Sequence, residues 1–197
     1  MSGDHDQNQP SIPNSTTTVD HLQNYVKIVQ NPDGTDLLLY EFPCTPAAAD
    51  PSSPVLTKDV PINRTRGTGV RIFLPSHALE HSTSAGPKRP LIVYYHGGGF
   101  IMLSASSCVN HTFCSEMAVK LDAVVVSVDY RLAPQHRLPA AYDDAVEALH
   151  WMKSTDEVWL RQFGDVSKCF LMGTSAGGNI AYYAGNKECY SYFYSTS

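Results

Sequence analysis

Ser175 stands in the stretch Lys168–Ile180, KCFLMGTSAGGNI, with Gly173 and Gly177 two residues to either side. A serine hydroxyl attacks an acyl carbon when a base removes its proton and fixed N–H dipoles receive the resulting oxyanion. The pattern suits that chemistry. The apolar run Cys169–Met172 has strand length, and the small residues after Ser175 read as a helix start. A serine on the sharp turn between strand and helix is forced into strained backbone, so its neighbours must be small. Gly173, Ala176, Gly177 and Gly178 meet that demand. A second stretch, Leu91–Phe100, reads LIVYYHGGGF: an apolar strand running into a histidine and three glycines. Backbone N–H groups on such a loop can serve as oxyanion donors. Each motif alone is a common glycine-rich turn. Two of them, each directly after a strand and in this order, point to acyl transfer.

The elements that must position these residues follow from periodicity. Thr35–Phe42 and Gly69–Pro75 read as strands, the first after a Pro32–Gly34 turn. Leu91–Tyr95 and Ala123–Val128 are apolar throughout, as expected of parallel strands buried on both faces. Ser107–Leu121 has helical spacing, with Val109, Phe113, Met117 and Leu121 on one side. Pro139–Met152 reads as a helix opened by proline, with Ala145, Ala148, Leu149 and Met152 in register. Val19–Ile28 fits a short helix or an extended cover segment. The fold class is therefore α/β: five strands over residues 35–185, the last three parallel and central, with helices on both faces. Residues 1–18 are polar and expected to be disordered. The loop Tyr130–Asp144 leaves a buried strand at the end where such sheets build their sites. Its Arg131, His136 and Arg137 either contribute to a site or tie the loop down.

Composition excludes several classes. The net charge is −5 with few charged residues, which argues against nucleic acid or an anionic membrane surface as partner. No apolar run reaches the length of a membrane helix, and the polar start MSGDHDQNQP lacks a secretory signal, so a cytoplasmic protein is expected. Five scattered cysteines without a C-x-x-C pair read as free thiols, with no metal site and no cofactor implied.

The three motifs His96–Phe100, Val128–Asp144 (VDYRLAPQHRLPAAYDD) and Met172–Gly185 (MGTSAGGNIAYYAG) together resemble the plant carboxylesterases of the hormone-sensitive-lipase group. The resemblance covers roughly residues 20–185 and implies an α/β-hydrolase fold, here its N-terminal part. It implies that Ser175 forms the acyl-enzyme and that the N–H groups of Gly97, Gly98 and Ala176 form the oxyanion hole, acting on a small-molecule ester. His96 belongs to the loop motif and is expected to be structural. Thr174 stands where relatives often carry Asp, and Gln135 where they often carry Glu.

One departure is large. Hydrolases of this fold order their triad as Ser, then Asp or Glu, then His. All eight histidines precede Ser175, the last being His150, and the only later carboxylate side chain is Glu188. From Asn186 the chain reads NKECYSYFYSTS, a divergent tail without helical apolar spacing, so a partial domain over 19–185 that ends early is expected. Two functions compete: a serine carboxylesterase inactive in this form, and a non-hydrolytic small-molecule binder resembling the gibberellin receptors.

Overall fold

The structure is a computed structural model and describes residues 26–34, 36–40, 42–79 and 87–194. The chain divides into two units, Met1–Glu41 and Phe42–Ser197. In the first, strands β1 (Val26–Gln30) and β2 (Asp36–Tyr40) pair antiparallel. Gly34, at φ +81°, closes the turn between them by donating to Asn31 O at 2.9 Å. Val26–Ile28 is thus strand. The remainder of the segment read as helix or cover, and the whole of 1–18, lie outside the described residues.

The second unit holds β3 (Val55–Asn63), β4 (Thr68–Pro75), β5 (Arg89–Tyr95), helix α1 (Cys108–Leu121), β6 (Val124–Asp129), α2 (Ala140–Ser154), α3 (Val158–Phe163), β7 (Gly164–Gly173) and α4 (Ala176–Tyr194). Among the described residues these strands form one sheet in the order β3-β4-β6-β5-β7. β5 pairs parallel with β6 and with β7, whereas β3 and β4 are antiparallel additions. The expected parallel trio is present, but only β5 and β6 are central. β7 ends the sheet.

The alternation of strand side chains divides the core. Val70, Ile72, Leu91, Val93, Tyr95, Val124, Val126 and Val128 point to one face, beneath Ala145, Ala148 and Leu149 of α2 and Ile180 and Ala184 of α4. Phe73, Ile92, Tyr94 and Val125 point to the other, beneath Cys114, Met117 and Ala118 of α1. Both faces of β5 and β6 are therefore dry, which is why their sequences are unbroken apolar runs.

Three elements differ from the sequence reading. β3 carries no alternation signal because Lys58, Asp59 and Pro61 interrupt it; as an edge strand it tolerates the proline, with a register shift between Pro61 and Asn63. α1 buries Asn110, Cys114, Met117 and Ala118, while Val109, Phe113 and Leu121 of the expected stripe are exposed. The small stripe wins because Cys114 and Ala118 let the helix approach the sheet closely, and Asn110 meets its burial by donating from Nδ2 to Ser104 O at 2.8 Å. The divergent tail, read as lacking helical apolar spacing, continues α4 to Tyr194. Glu188 explains part of this: it accepts from His150 Nε2 at 2.7 Å and pairs with Lys153, both on α2. Tertiary polar contacts hold a stretch whose apolar spacing does not.

Candidate active site

β7 ends at Gly173, Ser175 makes the turn, and α4 begins at Ala176. Ser175 adopts φ +51°, a left-handed conformation that costs a non-glycine residue roughly 1–2 kcal/mol. It persists because the surroundings over-determine it. Thr174 N donates to Tyr95 O at 3.3 Å, Gly177 N to Thr174 O at 2.8 Å, and Gly178 N to Ser175 O at 2.9 Å. Thr174 Oγ1 lies 2.8 Å from the Tyr94 hydroxyl, a bond that crosses from β7's end to β5. The close approach requires glycine: a Cβ at Gly177 would stand 1.9 Å from Tyr95 O. Ser175 itself is exposed at this turn.

The glycine loop arrives beside it. β5 delivers His96 and Gly97, and a Cβ built at Gly97 would meet Thr174 O at 3.0 Å and Ser175 Cβ at 3.5 Å. Gly98, at φ +113°, accepts from Ile101 N at 3.0 Å and Met102 N at 3.1 Å. Among the described residues the N–H groups of Gly97 and Gly98 are not spent on any bond. Ala176, as the first residue of α4, has no intrahelical partner for its own N–H. The four residues singled out from sequence are thus brought to one place. Phe100 and Leu103, at φ +65° and +71°, carry further strain into the same loop.

His96 is fully buried beneath the loop. Its ring stacks on Tyr130 at 4.3 Å, its Nδ1 stands 2.7 Å from Gly97 O, and the Tyr130 hydroxyl donates to His96 O at 2.6 Å. Burial pushes its pKa down, so the ring is neutral at pH 7. Burial also raises the Tyr94 phenol, so it stays protonated beside Thr174 Oγ1. Sequence reading missed Tyr94 and Tyr130. Both lie inside recognised motifs or strands, but nothing in their spacing signals that the Tyr94 hydroxyl meets Thr174 or that the Tyr130 hydroxyl meets His96 O.

The loop after β6 is anchored. Buried Asp144 accepts from Arg131 N at 2.9 Å and from Arg131 Nη2 at 2.7 Å, with Arg131 Nε also within 2.8 Å. Arg131 therefore ties the loop to α2, whereas His136 and Arg137 are exposed. The other described histidines have partners elsewhere: His77 with Asp122, His111 with Arg71 and His150 with Glu188. Among the described residues no group of three or more His, Cys, Asp or Glu side chains is placed to hold a metal ion, and no helix is long and apolar enough to cross a membrane.

The family model for the alpha/beta hydrolase fold matches residues 92–187. Carboxylesterase 20 of Arabidopsis thaliana is 53% identical over 164 residues, covering 82% of this chain and 50% of its own length. The 3-O-acetylpapaveroxine carboxylesterase CXE2 of Papaver somniferum is 47% identical over 167 residues, covering 81% of this chain and 51% of its own. Among solved structures, the esterase of Pyrobaculum calidifontis superposes with a TM-score of 0.51 at 38% identity, over 64% of this chain and 37% of its own. The chain spans about half the length of the curated relatives it matches. The chain is accordingly similar to plant carboxylesterases over about half of their length and carries the α/β-hydrolase fold.

Proposed function

We propose that this chain supplies the nucleophile and the oxyanion hole of a carboxylic-ester hydrolase. The reading is carried by one observation: a strained, exposed Ser175 at the N-terminus of α4, with the unspent N–H groups of Gly97 and Gly98 alongside. Ser175 Oγ attacks the ester carbonyl as a base takes its proton. The tetrahedral oxyanion is received by the N–H groups of Gly97, Gly98 and Ala176. Collapse expels the alcohol, which takes the proton, and water then releases the acid from the acyl-serine. The substrate is a small carboxylic ester, in keeping with the names of the relatives.

Among the described residues His77, His111 and His150 are engaged with Asp122, Arg71 and Glu188, His96 is buried against Gly97 O and Tyr130, and His136 is exposed, so none of them is seen bonded to Ser175 as its base. Loss of the base in a serine hydrolase costs on the order of 10⁶ in turnover, about 8 kcal/mol of barrier. The chain alone should therefore neither turn over an activated aryl ester nor label with a serine-directed phosphonate. Supplemented with the distal half of a plant carboxylesterase relative, it should do both, and Ser175→Ala should abolish both. A supplemented protein that retains small molecules yet never labels supports instead a binding protein of the gibberellin-receptor type. Labelling of the short chain at rates typical of active esterases overturns the missing-base reading and points to an upstream histidine such as His136.

A further inference from the structure

Two adjacent glycines make the peptide between them easy to turn over. Flipping the Gly97–Gly98 peptide changes ψ of Gly97 and φ of Gly98, and residues without a Cβ accept either sense. Gly98 already stands at φ +113°. The bonds that Gly98 O accepts from Ile101 N and Met102 N fix the next peptide, not this one. Backbone sterics therefore leave the direction of Gly98 N–H open, and the partner of Gly97 O decides it. In a trans peptide the N–H points opposite to the C=O, so whatever holds Gly97 O aims Gly98 N–H the other way.

The partner is the buried His96 ring, whose Nδ1 stands 2.7 Å from Gly97 O. It bonds there only with a proton on Nδ1, since a carbonyl oxygen accepts and never donates. Tyr130 selects that tautomer. Its buried ring stacks on the imidazole with centroids 4.3 Å and planes 12° apart. Its hydroxyl proton is spent on His96 O at 2.6 Å. The same hydroxyl oxygen lies 3.3 Å from Nδ1 and therefore faces it with lone pairs. Nδ1 thus meets two acceptors, Gly97 O and Tyr130 Oη. On the other side of the ring Nε2 is enclosed without a hydrogen-bond partner among the described residues, and Asp129 Oδ1 stands 4.0 Å away. That carboxylate favours the opposite tautomer, in which Nδ1 would turn a lone pair on Gly97 O. Tyr130 and Asp129 pull the ring proton in opposite senses, and Tyr130 is the closer.

We propose that Tyr130 is a positioning residue for the oxyanion hole: acting through His96, it keeps the ring proton on Nδ1 and so holds Gly98 N–H turned away from the buried ring, unbonded and available to an oxyanion. This rests on the proposal that Gly98 is an oxyanion donor.

The test is NMR of the ¹⁵N-labelled 197-residue protein at pH 7. Imidazole ¹⁵N shifts report the tautomer of His96, and N–H residual dipolar couplings report the direction of Gly98 N–H. In the wild-type chain His96 should be neutral and protonated on Nδ1. Tyr130→Phe keeps the stacked ring and loses the hydroxyl. It should move the ring proton toward Nε2 and change the Gly98 coupling, while couplings along Leu91–Tyr95 stay as they were. His96→Asn retains an N–H donor near the Nδ1 position and should preserve the Gly98 coupling, whereas His96→Leu should not. A wild-type ring protonated on Nε2 overturns the proposal, and that measurement stands even where Tyr130→Phe fails to fold. A tautomer and a Gly98 coupling that ignore Tyr130→Phe overturn it too, including the case in which His96→Leu alone changes the coupling. None of these signals needs turnover, so they are read apart from the hydrolase reading. In a protein completed for activity, Tyr130→Phe should lower kcat on the order of 10²-fold at unchanged KM, the effect of losing one oxyanion donor. A change in KM alone contradicts the proposal. A completed wild-type protein without activity counts against the hydrolase reading and leaves the orientation of Gly98 to the NMR result.

Discussion

Replacing Gly177 by alanine tests whether the turn and the glycine loop form one rigid unit. A methyl at that position would lie 1.9 Å from Tyr95 O and 2.6 Å from His96 O, both backbone atoms. Neither can rotate away, so the first turn of α4 and the end of β5 must part by more than an ångström. Overpacking a well-filled site ordinarily costs 1–3 kcal/mol, and a clash between two backbones belongs at or above the top of that range. We expect a loss of about 3 kcal/mol, a fall in Tm on the order of 10 °C for a chain of this size. The same helix provides the control. A Cβ at Gly178 meets nothing nearer than Gly173 O at 3.3 Å, and one at Gly185 only Leu171 Cδ1 at 3.4 Å. At Gly185 alanine should be neutral or stabilising by up to about 1 kcal/mol, because glycine is the poorer helix former, and at Gly178 it should cost far less than at Gly177. Urea denaturation of the three variants decides the matter. Equal effects at 177 and 178 would refute the reasoning, since propensity alone would then account for both. In a protein completed for activity, Gly177→Ala should also lower turnover on the order of 10²-fold, the effect of misplacing donors by an ångström.

Stability should fall with acid between about pH 7 and pH 5. Buried His96 holds its pKa below the ordinary value of ~6.5, so the unfolded chain binds a proton that the folded chain refuses. The slope is at most about 1.4 kcal/mol per pH unit for each such histidine. His111, lowered by burial and by Arg71, adds in the same direction, and a urea midpoint that does not move with pH contradicts this. Asp144→Ala should cost about 3 kcal/mol by stranding Arg131 in a largely enclosed site, measured by urea denaturation; a loss under 1 kcal/mol would mean that water replaces the pair. Phe170 is 59% exposed on β7, so Phe170→Lys should raise solubility with little effect on stability. By hydrogen exchange, amides of Lys168–Met172 should exchange faster than those of Leu91–Tyr95; equal protection would mean that the outer side of β7 is covered in solution.

The sequence by itself pointed to the proposed chemistry and determined the centre of the fold. Ser175 between glycines after an apolar strand, and the three glycines after Tyr95, name a turn and a loop because few other residues fit those backbone conformations. The runs in β5 and β6 are apolar on every residue because both faces are covered, and that is readable without coordinates. Other features were settled only by packing. The buried stripe of α1 is chosen by how closely the helix can approach the sheet, a matter of residue volume, and periodicity alone favoured the bulkier stripe now exposed. β3 is fixed as a strand through its pairing with β4, despite Lys58, Asp59 and Pro61 within it. α4 runs past its apolar register with Glu188 held by His150 and Lys153 on a neighbouring helix. The Tyr94–Thr174 bond and the Tyr130–His96 stack join residues 80 and 34 apart in the chain, and no local pattern encodes such a pairing. Motifs survive in one dimension where the backbone restricts residue type; contacts between side chains do not, because many residues satisfy each of them and only the folded chain selects the pair.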